Sequence, residues 1–202
     1  MGSQSYWGYS NKNISLDNTD RLMINKYWDN LTDYFNGSKL NALCMVDTSG
    51  SMYGTPINVA TSLGLYCAEK AGGPFANHYI SFSSRPQLIE CEGVDFCDKV
   101  DRIVRTNLCE NTNIEAAFDM LLNTATRNRL SQDELPDTII VISDMEFDSA
   151  RGYCRHGDTK TLMERIEEKW NNYGYKMPNL VFWNVQARQN NIPMKVKDGV
   201  SF

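Results

Sequence analysis

The chain has 202 residues, enough for one full-sized domain and short for two. With 42% apolar and 22% charged residues it falls in the ordinary globular range, which excludes disorder throughout. Twenty Lys and Arg against 25 Asp and Glu leave a formal charge of −5, so there is no uniform pull toward polyphosphate, and nucleic-acid binding would need a local basic patch. The longest apolar runs, Leu63 to Ala68 and Ile139 to Ile142, are far below the ~18–20 residues of a membrane span, so no membrane association is expected. Met1 to Trp7 lacks the basic-then-apolar order of a signal peptide. The six cysteines (Cys44, Cys67, Cys91, Cys97, Cys109 and Cys154) are scattered, several within apolar segments. They read as reduced thiols of an intracellular, cytoplasmic protein.

Residues 1–37 form an N-terminal arm followed by an amphipathic helix. Leu22, Met23, Tyr27, Trp28, Leu31, Tyr34 and Phe35 recur at helical spacing from Asp20 to Phe35, and Asn36-Gly37-Ser38 ends the segment. Leu40 to Val46 predicts a strand buried on both faces, running into Asp47-Thr48-Ser49-Gly50-Ser51. A helix follows Pro56 through Lys70 and stops at Ala71-Gly72-Gly73-Pro74. His78 to Ser83 and Gln87 to Cys91 are two short strands with a tight connection, and Phe96 to Val104 and Ile114 to Leu130 are helices. Asp137 to Ser143 is the clearest strand, β-branched and ending in Asp144. Thr159 to Asn172 is a helix and Asn179 to Val185 a strand. Strands alternating with helices of crossover length predict a three-layer α/β domain with a mostly parallel sheet.

Ligands bind such sheets beyond the carboxyl ends of the strands, where the strand order reverses. Asp47 and Asp144 both end strands and would share that edge. Asp47, Ser49 and Ser51 stand at alternate positions, and a curling loop there can aim one carboxylate and two hydroxyls at one point. All are hard oxygen donors, which suits Mg²⁺, with Mn²⁺ or Ca²⁺ as alternatives, and the lack of His and Cys disfavours zinc.

Asp47-Thr48-Ser49-Gly50-Ser51 resembles the D-x-S-x-S loop of von Willebrand factor A-type domains, which forms their metal-ion-dependent adhesion site. Thr112 before a helix and Asp144 after a strand match the other two elements of that site in order and context. The resemblance implies that Ser49, Ser51 and Thr112 contact a metal directly, with Asp47 and Asp144 acting through water or as switchable ligands. It also implies a doubly wound, Rossmann-like sheet with one antiparallel edge strand over 38–202, cut short at its last strand. Ile80-Ser81-Phe82-Ser83, Asn111-Thr112-Asn113, Ser143 to Asp148 and Val181 to Asn184 are similar to an intracellular branch that includes the Ro ribonucleoproteins and an uncharacterised group. In those relatives a helical region precedes the A-type domain and, in the Ro-like proteins, holds most of the RNA.

Plainer roles compete at each position. Asp47, Ser49 and Ser51 can cap backbone amides of a strand-to-helix turn, and Thr112 can cap the next helix with Glu115 completing a capping box. Glu146 and Asp148 could line the site or hold a second cation, but read more simply as solvated loop acids. Cys154-Arg155-His156 lacks metal-ligand spacing and reads as a surface loop. Trp170 and Trp183 read as core or half-buried packing, and Arg188, Lys195 and Lys197 as ordinary surface charge. Phosphatases of the haloacid dehalogenase type need a second Asp where this chain has Ser49, and phosphate-binding or nucleophile-elbow motifs are missing. The expected function is therefore non-enzymatic: a cation-dependent module that binds a carboxylate supplied by a protein partner. A component of a Ro-like ribonucleoprotein, meeting RNA through a larger complex, is the alternative, and a metal-dependent phosphohydrolase ranks last.

Overall fold

The computed structural model of the chain describes residues 17–83, 85–106, 113–144, 161–186 and 200–201. In chain order the elements are α1 (Asn18–Asp29), β1 (Ala42–Val46), α2 (Thr55–Lys70), β2 (His78–Ser81), β3 (Leu88–Glu90), α3 (Phe96–Thr106), α4 (Ile114–Asn128), β4 (Thr138–Ser143), α5 (Leu162–Asn172), β5 (Asn179–Asn184) and β6 (Val200–Ser201). They build one six-stranded sheet in the order β3-β2-β1-β4-β5-β6. Among the described residues only β2 and β3 pair antiparallel, and the other strand pairings are parallel. The fold is α/β and compatible with a Rossmann-like arrangement.

All five residues of β1 are buried because both faces of the sheet are covered. Alternation along the strands sorts their side chains. Leu43 and Met45 of β1, Ile139 and Val141 of β4, and Leu180 and Phe182 of β5 meet Phe118, Leu121 and Leu122 of α4 and Ile166 and Trp170 of α5. On the opposite face Cys44, Val46, Tyr79 and Ile142 meet Ala60, Leu65 and Ala68 of α2 and Ile103 of α3. Helix α2 lies close to the sheet at Gly64, where an added Cβ would stand 2.3 Å from Val46 Cγ2. Among the described residues no helix is long and apolar enough to cross a membrane.

The first helix is shorter than its periodicity predicts. Asp17 caps it by accepting the amides of Thr19 and Asp20, and it ends at Asp29 rather than Phe35. The Asp33 carboxylate accepts the amides of Phe35 and Gly37, offering the backbone a turn in place of another helical repeat. Tyr34 and Phe35 then pack on Tyr66 of α2 without a helix, with ring centroids 6.3 and 6.0 Å away, while Leu22, Met23, Tyr27 and Leu31 of the same apolar stripe stay exposed. Trp28 stacks on Phe96 at 4.1 Å, and Arg21 forms a two-pronged pair with Asp95 at 2.8 and 2.7 Å. Trp170 is buried as expected, whereas Trp183 is 46% exposed.

The docking of this segment carries a pH dependence. Asp95 lies below the ordinary aspartate value of 3.8 because Arg21 and then the Asp98 amide donate to its charged form, and Asp33 is lowered by the Gly37 and Phe35 amides. A lowered carboxyl contributes stability that is whole above its unfolded value and disappears as pH falls through its folded value. Acidification below about pH 5 should therefore lower the hydrogen-exchange protection of α1, each rate being compared with that of the unstructured chain at the same pH. Asp95→Asn should show that lower protection already at neutral pH and flatten its pH profile; wild-type protection that does not change with pH would contradict the docking described.

Candidate functional site

Strands β1 and β4 are neighbours at the centre of the sheet, with Val46 in register with Ile142. The chain reaches β2 from β1 on one side and continues from β4 to β5 on the other, so the order reverses between them. Their carboxyl ends present Asp47 and Asp144, only 2% and 6% exposed. The Asp47 amide extends the ladder by donating to the Ile142 carbonyl at 3.0 Å. One Asp47 oxygen, Oδ2, accepts from Ser143 Oγ at 2.5 Å, and the other accepts the Ser49 amide at 2.8 Å.

The following loop is folded back over this point. Ser49 Oγ and Ser51 Oγ stand 3.1 Å apart, so one hydroxyl donates to the other. Met52 inserts into the core under α2, and Gly54 turns the chain into that helix at φ +93°, a conformation that side-chain-bearing residues rarely adopt. No side chain caps the N-terminus of α2, so neither Ser49 nor Ser51 is used up as its cap. Burial pushes the Asp47 carboxyl above its usual range; the bonds from Ser143 and Ser49 pull it down, and repulsion from Asp144 adds to the upward push.

The structure thus brings Asp47, Ser49, Ser51 and Asp144 to one edge. Thr112, Glu146 and Asp148 lie outside the described residues. The capping role weighed for Thr112 belongs instead to Asn113, whose Oδ1 accepts the Ala116 amide at 3.0 Å. The Asn113 amide donates to the Ser83 carbonyl just beyond β2, which places the start of α4 beyond the carboxyl end of β2. Ser143 is the residue sequence reasoning passed over. Its signal is a hydroxyl at a fully buried position of a strand covered on both faces, where an apolar side chain is the norm.

Chemically the edge offers carboxylates and hydroxyls. Among the described residues no three His, Cys, Asp or Glu side chains converge as a metal cage, so any ion held here would depend on the serine hydroxyls as well as Asp47 and Asp144.

Comparison with known proteins corrects the sequence-based assignment. The family model that matches, over residues 41–201, is described as "Domain of unknown function (DUF7788)", not as a von Willebrand factor A-type or Ro-like domain. A relative, "Uncharacterized protein L728" of Acanthamoeba polyphaga mimivirus, is 28% identical over 188 residues, which is 92% of this chain and 32% of that protein. The chain therefore spans about a third of the length of this relative. The assignment to an A-type domain with its adhesion site is not sustained, and the physical reason is the shortness of the motif. An Asp followed by alternating serines is what a polar turn leaving a buried parallel strand selects, since those side chains accept backbone amides there, as Asp47 does from Ser49. With 41–201 of its 202 residues matched, the chain belongs to the family described as a domain of unknown function, DUF7788.

Proposed function

We propose that the carboxyl edge between β1 and β4 is a divalent-cation site, with Asp47 and Asp144 as charged donors and Ser49 and Ser51 as neutral ones. Through the bound ion the domain captures a carboxylate of a protein partner; it is a binding module and not an enzyme. The observation that carries the reading is the burial of two mutually repelling carboxylates at the point where the strand order reverses. Burying like charges is costly unless a counter-charge or hydrogen bonds compensate, and Ser143 and Ser49 offset only part of it for Asp47. An all-oxygen donor set selects Mg²⁺ first, with Mn²⁺ and Ca²⁺ also accepted. Neutral hydroxyl donors leave much of the ion's charge for an incoming anionic group. Thr112 belongs to the same proposal as a further hydroxyl donor, and Glu146 and Asp148 as outer acids.

The test is thermal unfolding and calorimetry with Mg²⁺ and Mn²⁺ on the wild type, Asp47→Asn and Asp144→Asn. A ligand that binds only the folded chain stabilises it by about 2.7 kcal/mol at a hundredfold excess over its Kd. For the metal-free protein the sign runs the other way. Asp47 titrates above its unfolded value, so the folded chain binds the proton more tightly, and stability falls as pH rises from about 4 through the raised folded value. Asp47→Asn should thus keep or raise the metal-free melting temperature while abolishing the cation response. A wild type indifferent to both ions would refute the proposal.

A further inference from the structure

Asp47 is pinned more firmly than an ordinary loop acid. Val46 stands in register with Ile142 across the β1–β4 pairing, so one residue further on Asp47 stands opposite Ser143. Side chains alternate along a strand, and both residues therefore project on the face that Met45 and Val141 share with α4 and α5. There Ser143 Oγ donates to Asp47 Oδ2 at 2.5 Å, with Ser143 fully buried and Asp47 nearly so. The backbone at each end of this bond is fixed as well: the Asp47 amide donates to the Ile142 carbonyl and the Ser143 carbonyl accepts the Val185 amide, both at 3.0 Å.

A small buried hydroxyl adds little to the packing of a strand that carries Ile139, Val141 and Ile142, so its contribution lies in the bond it donates. An ionised carboxylate has about four lone-pair sites. Ser143 takes one on Oδ2, and the Ser49 amide, at 2.8 Å, takes one on Oδ1. The two donors come from different elements, β4 and the loop after β1, and hold the plane of the carboxylate between them. Turning both oxygens together toward an ion would break the Ser143 bond, a charge-assisted one in a buried place. Asp47 is thereby held to a grip through one oxygen or through water. That restriction separates cations. Mg²⁺ binds octahedrally at about 2.0–2.1 Å, keeps several waters and uses one or two carboxylates, whereas Ca²⁺ takes about 6–8 oxygens at about 2.3–2.6 Å and accepts carboxylates through both.

Resting on the cation reading of this edge, we infer that Ser143 is a positioning residue for cation choice: its hydroxyl fixes the Asp47 carboxylate in the single-oxygen orientation that suits Mg²⁺ and withholds the two-oxygen grip that Ca²⁺ exploits. It acts through Asp47 and not as a ligand. Without the hydroxyl, Oδ2 loses this donor and the carboxylate can turn about its Cβ–Cγ bond. Mg²⁺ then loses an oriented ligand, while Ca²⁺ gains a chelating one. Removing a group that orients a metal ligand typically costs about 10–100-fold in affinity, which sets the scale of the effect.

Calorimetric titration of the folded chain with Mg²⁺ and with Ca²⁺ tests this on the wild type, Ser143→Ala and Ser143→Thr. Ser143→Ala should weaken Mg²⁺ by about 10–100-fold and Ca²⁺ less or not at all, moving the ratio of the two dissociation constants toward Ca²⁺ by roughly tenfold or more. Ser143→Thr keeps the hydroxyl and should keep the wild-type ratio. If Ser143→Ala does not fold, Ser143→Cys, close in shape and a weak donor, takes its place with the same expectation. Both ions weakened by the same factor would mark a residue that only supports the strand ends, and would overturn this inference while leaving the cation site standing. A wild type that binds neither ion would overturn the cation reading and this inference with it.

Discussion

Gly64→Ala should lower the stability of the chain by about 1–3 kcal/mol, although alanine is the better helix former by about 1 kcal/mol. The new methyl would stand 2.3 Å from Val46 Cγ2, and Val46 is fully buried, β-branched and fixed within the central strand. It cannot swing aside as a long side chain would, so either α2 lifts from the sheet or β1 shifts under it. Removing the opposing methyls should relieve the clash: Gly64→Ala combined with Val46→Ala should be more stable than the two losses added together, with a coupling of about 1 kcal/mol or more. Urea unfolding of the four proteins of this cycle measures it. Purely additive losses, or a stabilised Gly64→Ala, would show that the helix is free to move outward.

Trp170→Ala should cost more, about 3–5 kcal/mol. The indole is fully buried at the centre of the α4–α5 face and meets Phe118 edge-on, with centroids 6.2 Å apart. Its Nε1 finds no acceptor among the described residues, so part of what it contributes by packing is offset by an unsatisfied donor. Trp170→Phe keeps an aromatic body against Phe118 and discards that donor, and should cost less than about 1.5 kcal/mol. Equal losses for the two variants, read by the same unfolding assay, would place the value of the residue in its ring nitrogen instead of its bulk.

Strands β1 and β4 were legible as sequence because burial on both faces leaves continuous uncharged, largely aliphatic runs, Ala42 to Val46 and Ile139 to Ile142, that lead to an acid. Helix α2 was legible from its periodicity and from Pro56 and Gly72-Gly73-Pro74 at its two ends. The end of α1 was not, because the same apolar spacing serves a helix and a turn-rich segment packed on Tyr66; only the reach of the Asp33 carboxylate decides between them. At the site, Asp47 and Asp144 were readable from their position after buried strands. Ser143 was not, since its role depends on a partner strand that sequence cannot register to the residue. The motif at 47–51 was read correctly as a loop at a sheet edge and wrongly as a mark of descent.

The pairing of β1 with β4 joins residues far apart in the chain: Ser143 and Asp47, hydrogen-bonded across it, are 96 positions apart. At usual rates of synthesis, roughly 5–20 residues per second, β1 would wait roughly 5–20 s for its central neighbour to emerge. During that interval Ala42 to Val46, a charge-free run of apolar side chains, can pair with β2 on one side only. Its other edge is an open template for a second nascent chain, and contacts of such long range form slowly even after release. Asp47, fixed within one residue of that exposed edge, then serves a purpose before any ligand arrives: a charge at the end of a sticky strand opposes its pairing with another copy of itself.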